Sequence, residues 1–307
     1  MASLRAAIRI TTVSIVATAL LLALKLILGL ISGSIAVLSD GLDSANDLLS
    51  AGAAFLSIQI AARPSDEEHP YGHGKAESLS ASVSAGVVGL GGGIVLWQAA
   101  RRLIEGSPQI NVGLGLIAVV AAVVVNATLA YIMRRVARRN GSLALASEAT
   151  HLRTNVVQAA TVILGLTLVG LTDQTVFDPL VAIGLALYMW WTAYTIIRGA
   201  LGEIMDVSLP EREHQLIREC IISYADRVRG FHHLRTRRSG PNRYLEVHLI
   251  VDPECTVRQA HELTDALEAQ IRQRLPGTIA TIHTEPDDGR YLGPYEQVLR
   301  AAARQRQ

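Results

Sequence analysis

The chain has 307 residues, 50% of them hydrophobic and 18% charged, with a formal net charge of +1. A mean hydropathy of +0.31 is too apolar for an ordinary soluble domain. The near-zero charge, without a dominant basic or acidic tract, argues against nucleic acid as the main partner. Two cysteines, Cys220 and Cys255, are too few for a disulfide scaffold or a thiolate zinc cluster.

A bilayer-spanning helix needs about 20 mostly apolar residues, and six segments qualify: about 8–30, 35–62, 78–101, 111–133, 145–171 and 176–198. Arg5 and Arg9 precede the first, as in a secretory signal. The apolar run outlasts a signal's usual length without an evident small-residue cleavage site, so it reads as a retained span. Six spans put both termini on one side. With that side in the cytoplasm, the inner flanks hold Arg5, Arg9, Arg63, Lys75, Arg134, Arg135, Arg138, Arg139 and Arg198, against Arg101 and Arg102 outside. Cytoplasmic loops carry the excess of positive residues, so the C-terminal part is read as cytoplasmic.

Charges inside spans are costly and point to function. In the second span, Asp43 and Asp47 stand four residues apart and share a helix face. Two carboxylates in a low dielectric cannot both stay ionised without a cation or protons. In the fifth span, His151 and Asn155 repeat the spacing and offer an imidazole nitrogen and an amide oxygen. Facing one another, the pairs supply four ligands, which suits a tetrahedral transition metal. The alternative is that each polar group caps a helix or bonds a neighbouring span. Asp40 falls near the same face, as a third carboxylate or, more simply, as a helix cap. No carboxylate beyond these stands out as a general base beside the quartet. In the loop between spans two and three, Asp66, His69 and His73 are spaced to converge on a metal, or else are solvated loop groups.

Residues 201–307 hold 15 Arg, 16 Asp plus Glu and six of the nine histidines, so a polar domain follows the membrane part. Ser208 with Glu211, and Thr256 with Gln259, read as capping boxes opening two helices. Residues 231–238, 243–252 and about 278–285 read as strands, giving the order αββαβ. Cys220 lies on an apolar stripe and is assigned to the core, His214 and His233 to solvated surface. Arg235, Arg237 and Arg238 are assigned to a solvated or dimer-contact face, or one near acidic headgroups. The domains expected are a six-helix transport domain over 1–204, a small α+β domain over 205–290 and a flexible tail over 291–307.

The stretch from Gly33-Ser34 through Asp43-Ser44 and Asp47, HPYGHGKAE at 69–77, His151 with Asn155, and HLRTRRSGP at 233–241 together resemble the cation diffusion facilitator family of divalent-metal transporters. The likeness covers nearly the whole chain. It implies an α-helical membrane protein of six transmembrane helices with a metallochaperone-like cytoplasmic α+β domain, acting as a homodimer in the bacterial inner membrane. Such a protein exports a divalent cation in exchange for protons and is not an enzyme. Zinc comes first by affinity order, with ferrous iron, manganese, cobalt and cadmium as alternatives.

By resemblance, Asp43, Asp47, His151 and Asn155 form the transport site, and Asp66, His69 and His73 a loop site. His232, His248, His261, His283 and Glu285 share a dimer-interface site in the cytoplasmic domain, and Lys75 with Asp206 forms an ion pair locking the protomers. Many members carry aspartate at the positions of Asn155 and Glu285. With two aspartates and neutral histidine, a bound dication gives a neutral transport site here. Glycines such as Gly29, Gly33, Gly86, Gly89 and Gly91–Gly93 permit close helix contact, or are passive packing. Two other readings are a metal sensor that does not transport and a membrane metalloenzyme.

Overall fold

The structure is a computed structural model that describes residues 2–32, 35–105, 115–172 and 176–289. The chain divides into two compact units, residues 1–201 and 202–307. The expected tail at 291–307 lies outside the described residues, as do Gly33 and Ser34 and the side chains of Asp40 and Asp43.

The first unit is helical: α1 (Ala2–Ser32), α2 (Ile35–Ala61), α3 (Ala76–Glu105), α4 (Gly115–Asn140), α5 (Leu143–Thr172) and α6 (Phe177–Ile204), whose last turn enters the second unit. Among the described residues, stretches in α1, α3, α4 and α6 are long and apolar enough to cross a membrane. The unit's exposure is inverted relative to a soluble bundle: Leu20, Leu90, Trp97 and Leu187 point outward, while Thr11, Ser14 and Thr18 of α1 are buried. Exposed apolar surface on this scale needs a partner, and a bilayer supplies it.

Local chemistry sets the helix ends. Gly141, at φ +68°, takes the left-handed turn that closes α4, and its N–H bonds Ala137 O at 2.8 Å. Ser142 then caps α5 by accepting from Leu145 N, and its hydroxyl donates to buried Glu77 of α3 at 2.6 Å. Helix α2 packs against α1, α3 and α5. Helices α3 and α6 approach closely at Gly92, where a Cβ would stand 2.9 Å from Trp190 Cδ1. The close-contact reading therefore fits Gly92, whereas a Cβ at Gly86 or Gly93 would meet nothing within 4 Å.

In the second unit, α7 (Glu211–Ile222) and α8 (Val257–Arg274) pack against a three-stranded sheet of order β1-β2-β3. Strand β1 (Val228–Ser239) runs antiparallel to β2 (Asn242–Val251), and β3 (Thr278–Pro286) runs parallel to β2. The αββαβ order holds. Alternation along β2 buries Leu245, Val247, Leu249 and Val251 against Ile217, Cys220, Leu263 and Leu267.

The capping box holds at Thr256 and Gln259 but not at Ser208 and Glu211. Helix α7 starts later, behind Pro210, and the Glu211 carboxylate is engaged by Arg218 instead. Three further side chains are less solvated than their sequence positions imply. His214 is half-buried, with Nε2 2.8 Å from Thr236 Oγ1. Arg238 binds both oxygens of Glu213 at 2.9 and 3.2 Å, and Arg237 pairs with Asp206 at 3.3 Å and covers the Tyr244 ring.

Candidate metal sites

Helices α2 and α5 meet at the first site. Asp47 Oδ1 lies 2.8 Å from His151 Nε2, and Asp47 Oδ2 accepts from Asn155 Nδ2 at 3.0 Å. One carboxylate therefore bridges two residues that sit one turn apart on the facing helix. His151 is 6% and Asp47 20% exposed by side chain, and the second imidazole nitrogen, Nδ1, is buried without a partner. The sequence pairing of α2 with α5 is thus seen for three residues. The Asp43 side chain, one turn earlier on α2, lies outside the described residues.

Nε2 and the two Asp47 oxygens are the donor types a tetrahedral transition-metal site uses, and the Asn155 amide can turn its oxygen inward. A hydrogen bond of this length requires a proton between Nε2 and Oδ1. A cation bound there displaces it, because only deprotonated groups ligate.

Sequence reasoning missed one charged group beside this site. Glu148, three residues before His151 on α5, is fully buried. It accepts from Ser50 Oγ of α2 at 3.0 Å. The sequence offers no evident carboxylate base beside the quartet, and the structure places Glu148 near it, bonded to Ser50. The available signal was spacing: an i, i+3 offset puts Glu148 on the His151 face.

The loop between α2 and α3 brings Asp66, His69 and His73 together, their ligand atoms within 4.8 Å of one another. Asp66 Oδ1 accepts from His69 N at 2.7 Å, and His73 Nε2 lies 3.5 Å from Oδ2. Gly72, at φ +76°, makes the turn that folds the two imidazoles together, with ring centroids 4.4 Å apart. The His69 backbone N–H, helped by the nearby imidazoles, holds the Asp66 carboxyl below its ordinary value.

The third group lies on the sheet. The register pairs His232 with His248 across β1–β2 and His248 with His283 across β2–β3, so three strands present their histidines in a row. Glu285, two residues along β3, reaches all three: 2.8 Å to His248 Nδ1, 3.5 Å to His232 Nε2 and 3.7 Å to His283 Nε2. Its extra methylene, relative to aspartate, makes that reach possible. Burial, reinforced by the neighbouring imidazoles and opposed by Glu285, holds His232 below the ordinary histidine value.

Exposed His233 joins this group, its ring 4.6 Å from His232 and 4.9 Å from His248. This corrects its expected place on solvated surface, since a regular strand would send it to the face opposite His232. A bulge between His232 and Arg235, with His233 at φ +50°, breaks that alternation. His261 does not join the cluster. It is 72% exposed and faces Asp265 at 3.5 Å, although with Glu285 it lines a cavity of about 350 Å³.

Residues 11–205 match the family model described as the cation efflux transmembrane domain, and residues 209–287 match the cation efflux protein, cytoplasmic domain. The chain belongs to the cation efflux, or cation diffusion facilitator, family. The family is one of transporters, not enzymes. An uncharacterized transporter of Synechocystis is 35% identical over 256 residues, 83% of each chain. The cation-efflux pump FieF of Shigella boydii is 31% identical over 282 residues, 92% of each chain. A solved structure of CzrB in its zinc form is 41% identical and covers 28% of this chain and 99% of its own, with a TM-score of 0.26. As a cation efflux protein, the chain is a helical transmembrane domain followed by a cytoplasmic α+β domain.

Proposed function

We propose that this cation efflux protein exports a divalent transition metal, zinc first, from the bacterial cytoplasm in exchange for protons. It works as a homodimer in the inner membrane with both termini cytoplasmic. The carrying observation is the Asp47–His151–Asn155 contact: a part-buried carboxylate hydrogen-bonded to a buried imidazole at 2.8 Å, on two helices that must separate or rotate to release what they hold.

The cycle follows from charge. From the cytoplasm a dication replaces the proton between Asp47 and His151, with Asp43 as the second carboxylate. Two aspartates and a neutral imidazole then balance its charge. Rearrangement of the bundle opens the site outward, where protons compete the ion off. Ferrous iron, manganese, cobalt and cadmium fit the same donors less selectively.

Asp66, His69 and His73 form a second, exposed metal position in the loop. His232, His248, His283 and Glu285 form a third, completed by His261 at the dimer contact. Metal there tightens the dimer, and Lys75 with Asp206 joins the protomers at the membrane surface. Zinc uptake by proteoliposomes holding the full chain tests this reading: Asp47→Ala abolishes uptake, and undiminished uptake refutes it.

A further inference from the structure

Glu148 belongs to none of these sites, yet it is the most enclosed carboxylate of the membrane unit among the described residues, with no exposed surface. Its Oε2 accepts from Ser50 Oγ at 3.0 Å, and Ser50 Oγ stands 3.4 Å from Ser84 Oγ, so α2, α3 and α5 each contribute one oxygen-bearing side chain. Its Oε1 is buried with no partner.

A carboxylate sealed inside a membrane bundle with one oxygen unsatisfied is costly unless a cation or a proton meets it. Oxygen ligands about 2.0–2.2 Å from one tetrahedral ion stand roughly 3.3–3.6 Å from one another, close to the spacing of these groups. Ser50 follows Asp47 by three residues and Glu148 precedes His151 by three. The two helices therefore carry this second set together, about 4.5 Å along their axes. The displacement runs toward the end of α2 and the start of α5, the cytoplasmic end in the proposed orientation.

We propose that Glu148, with Ser50 and Ser84, is a second cation-binding position of the membrane unit, occupied by the dication before it passes to Asp47 and His151. The donors are hard and few, so the position binds more weakly than the histidine-bearing site and releases forward. This inference rests on reading Asp47 and His151 as the transport site.

Two measurements on the full chain separate the claims. In proteoliposomes, Glu148→Gln keeps volume and hydrogen bonding but raises the zinc concentration for half-maximal uptake about tenfold or more, and Ser50→Ala raises it severalfold. In detergent, cadmium retained per chain is lower by one equivalent in Asp47→Ala with Glu148→Gln than in Asp47→Ala alone, the other sites being common to both. Equal retention together with wild-type uptake by Glu148→Gln overturns the proposal and leaves Glu148 as a structural partner of Ser50. If Glu148→Gln does not fold, Ser50→Ala with Ser84→Ala carries the same two tests, and wild-type behaviour there overturns it equally. Uptake that survives Asp47→Ala refutes the transport-site reading instead.

Discussion

The membrane group around Asp47 and the sheet group around Glu285 use the same chemistry, one carboxylate bonded to imidazole at 2.8 Å, in opposite surroundings. The His151 side chain is 6% exposed, whereas His283 is 63% and His248 32% exposed. A charge at the first place has little solvent to shield it, so in the proposed cycle a proton replaces the ion each time it leaves. At the second place water can stabilise the group without an ion, so in the proposed reading metal comes and goes there with supply. In the proposed function, the same residue types thus serve as carrier in one setting and as reporter in the other.

Four substitutions or conditions break or sharpen that contrast. The largest effect is expected from Asp47→Ala, because removing one partner of a largely buried charged pair costs roughly 3–5 kcal/mol, equivalent to a factor of about 10²–10⁴. Zinc uptake in proteoliposomes should fall accordingly. Next, His248→Ala removes the residue shared by both strand pairings. It should weaken zinc binding by the cytoplasmic domain about 10–100-fold, read by titration of the full chain. The maximal uptake rate should stay within about twofold, since a water-exposed group adds little to the buried step.

Asn155→Asp adds a third carboxylate and leaves a bound dication with net negative charge. The expected outcome is altered metal preference or one more proton returned per ion, measured by competition among zinc, manganese and cadmium and by proton counting. Unchanged selectivity and stoichiometry would remove Asn155 from the account.

The smallest effect concerns pH. Because His232 is held below the ordinary value of 6.5, the unfolded chain takes up that proton more readily than the folded one. Stability of the chelator-treated protein is therefore unaffected well above that value and falls as pH drops below it. Thermal unfolding between pH 7.5 and 5.5 checks this, and His232→Gln should flatten the dependence.

Much of the fold was legible because its signals are local. Apolar runs of helical length marked the six helices of the first unit, and alternation along 243–252 marked the strand that carries the second core. The pairing of α2 with α5 was legible too, since intramembrane Asp47 and His151 have few inexpensive alternatives to meeting one another. What escaped was three-dimensional. Glu148 escapes notice until α5 is seen to bury it against Ser50. His233 reads as solvated surface until a bulge turns it toward His232 and His248. Ser208 reads as a cap until Pro210 displaces the helix start. Each miss turned on a backbone irregularity or on the identity of the neighbouring helix, and neither is written in residue spacing.

The most direct test is simultaneous recording of zinc and proton movement in proteoliposomes containing the full chain, with His151→Ala alongside. The account predicts that zinc flux is matched by a proportional counterflow of protons, that an imposed pH gradient accelerates it, and that both flows vanish together in the variant. Zinc flux indifferent to the pH gradient, or persisting in His151→Ala, would contradict it.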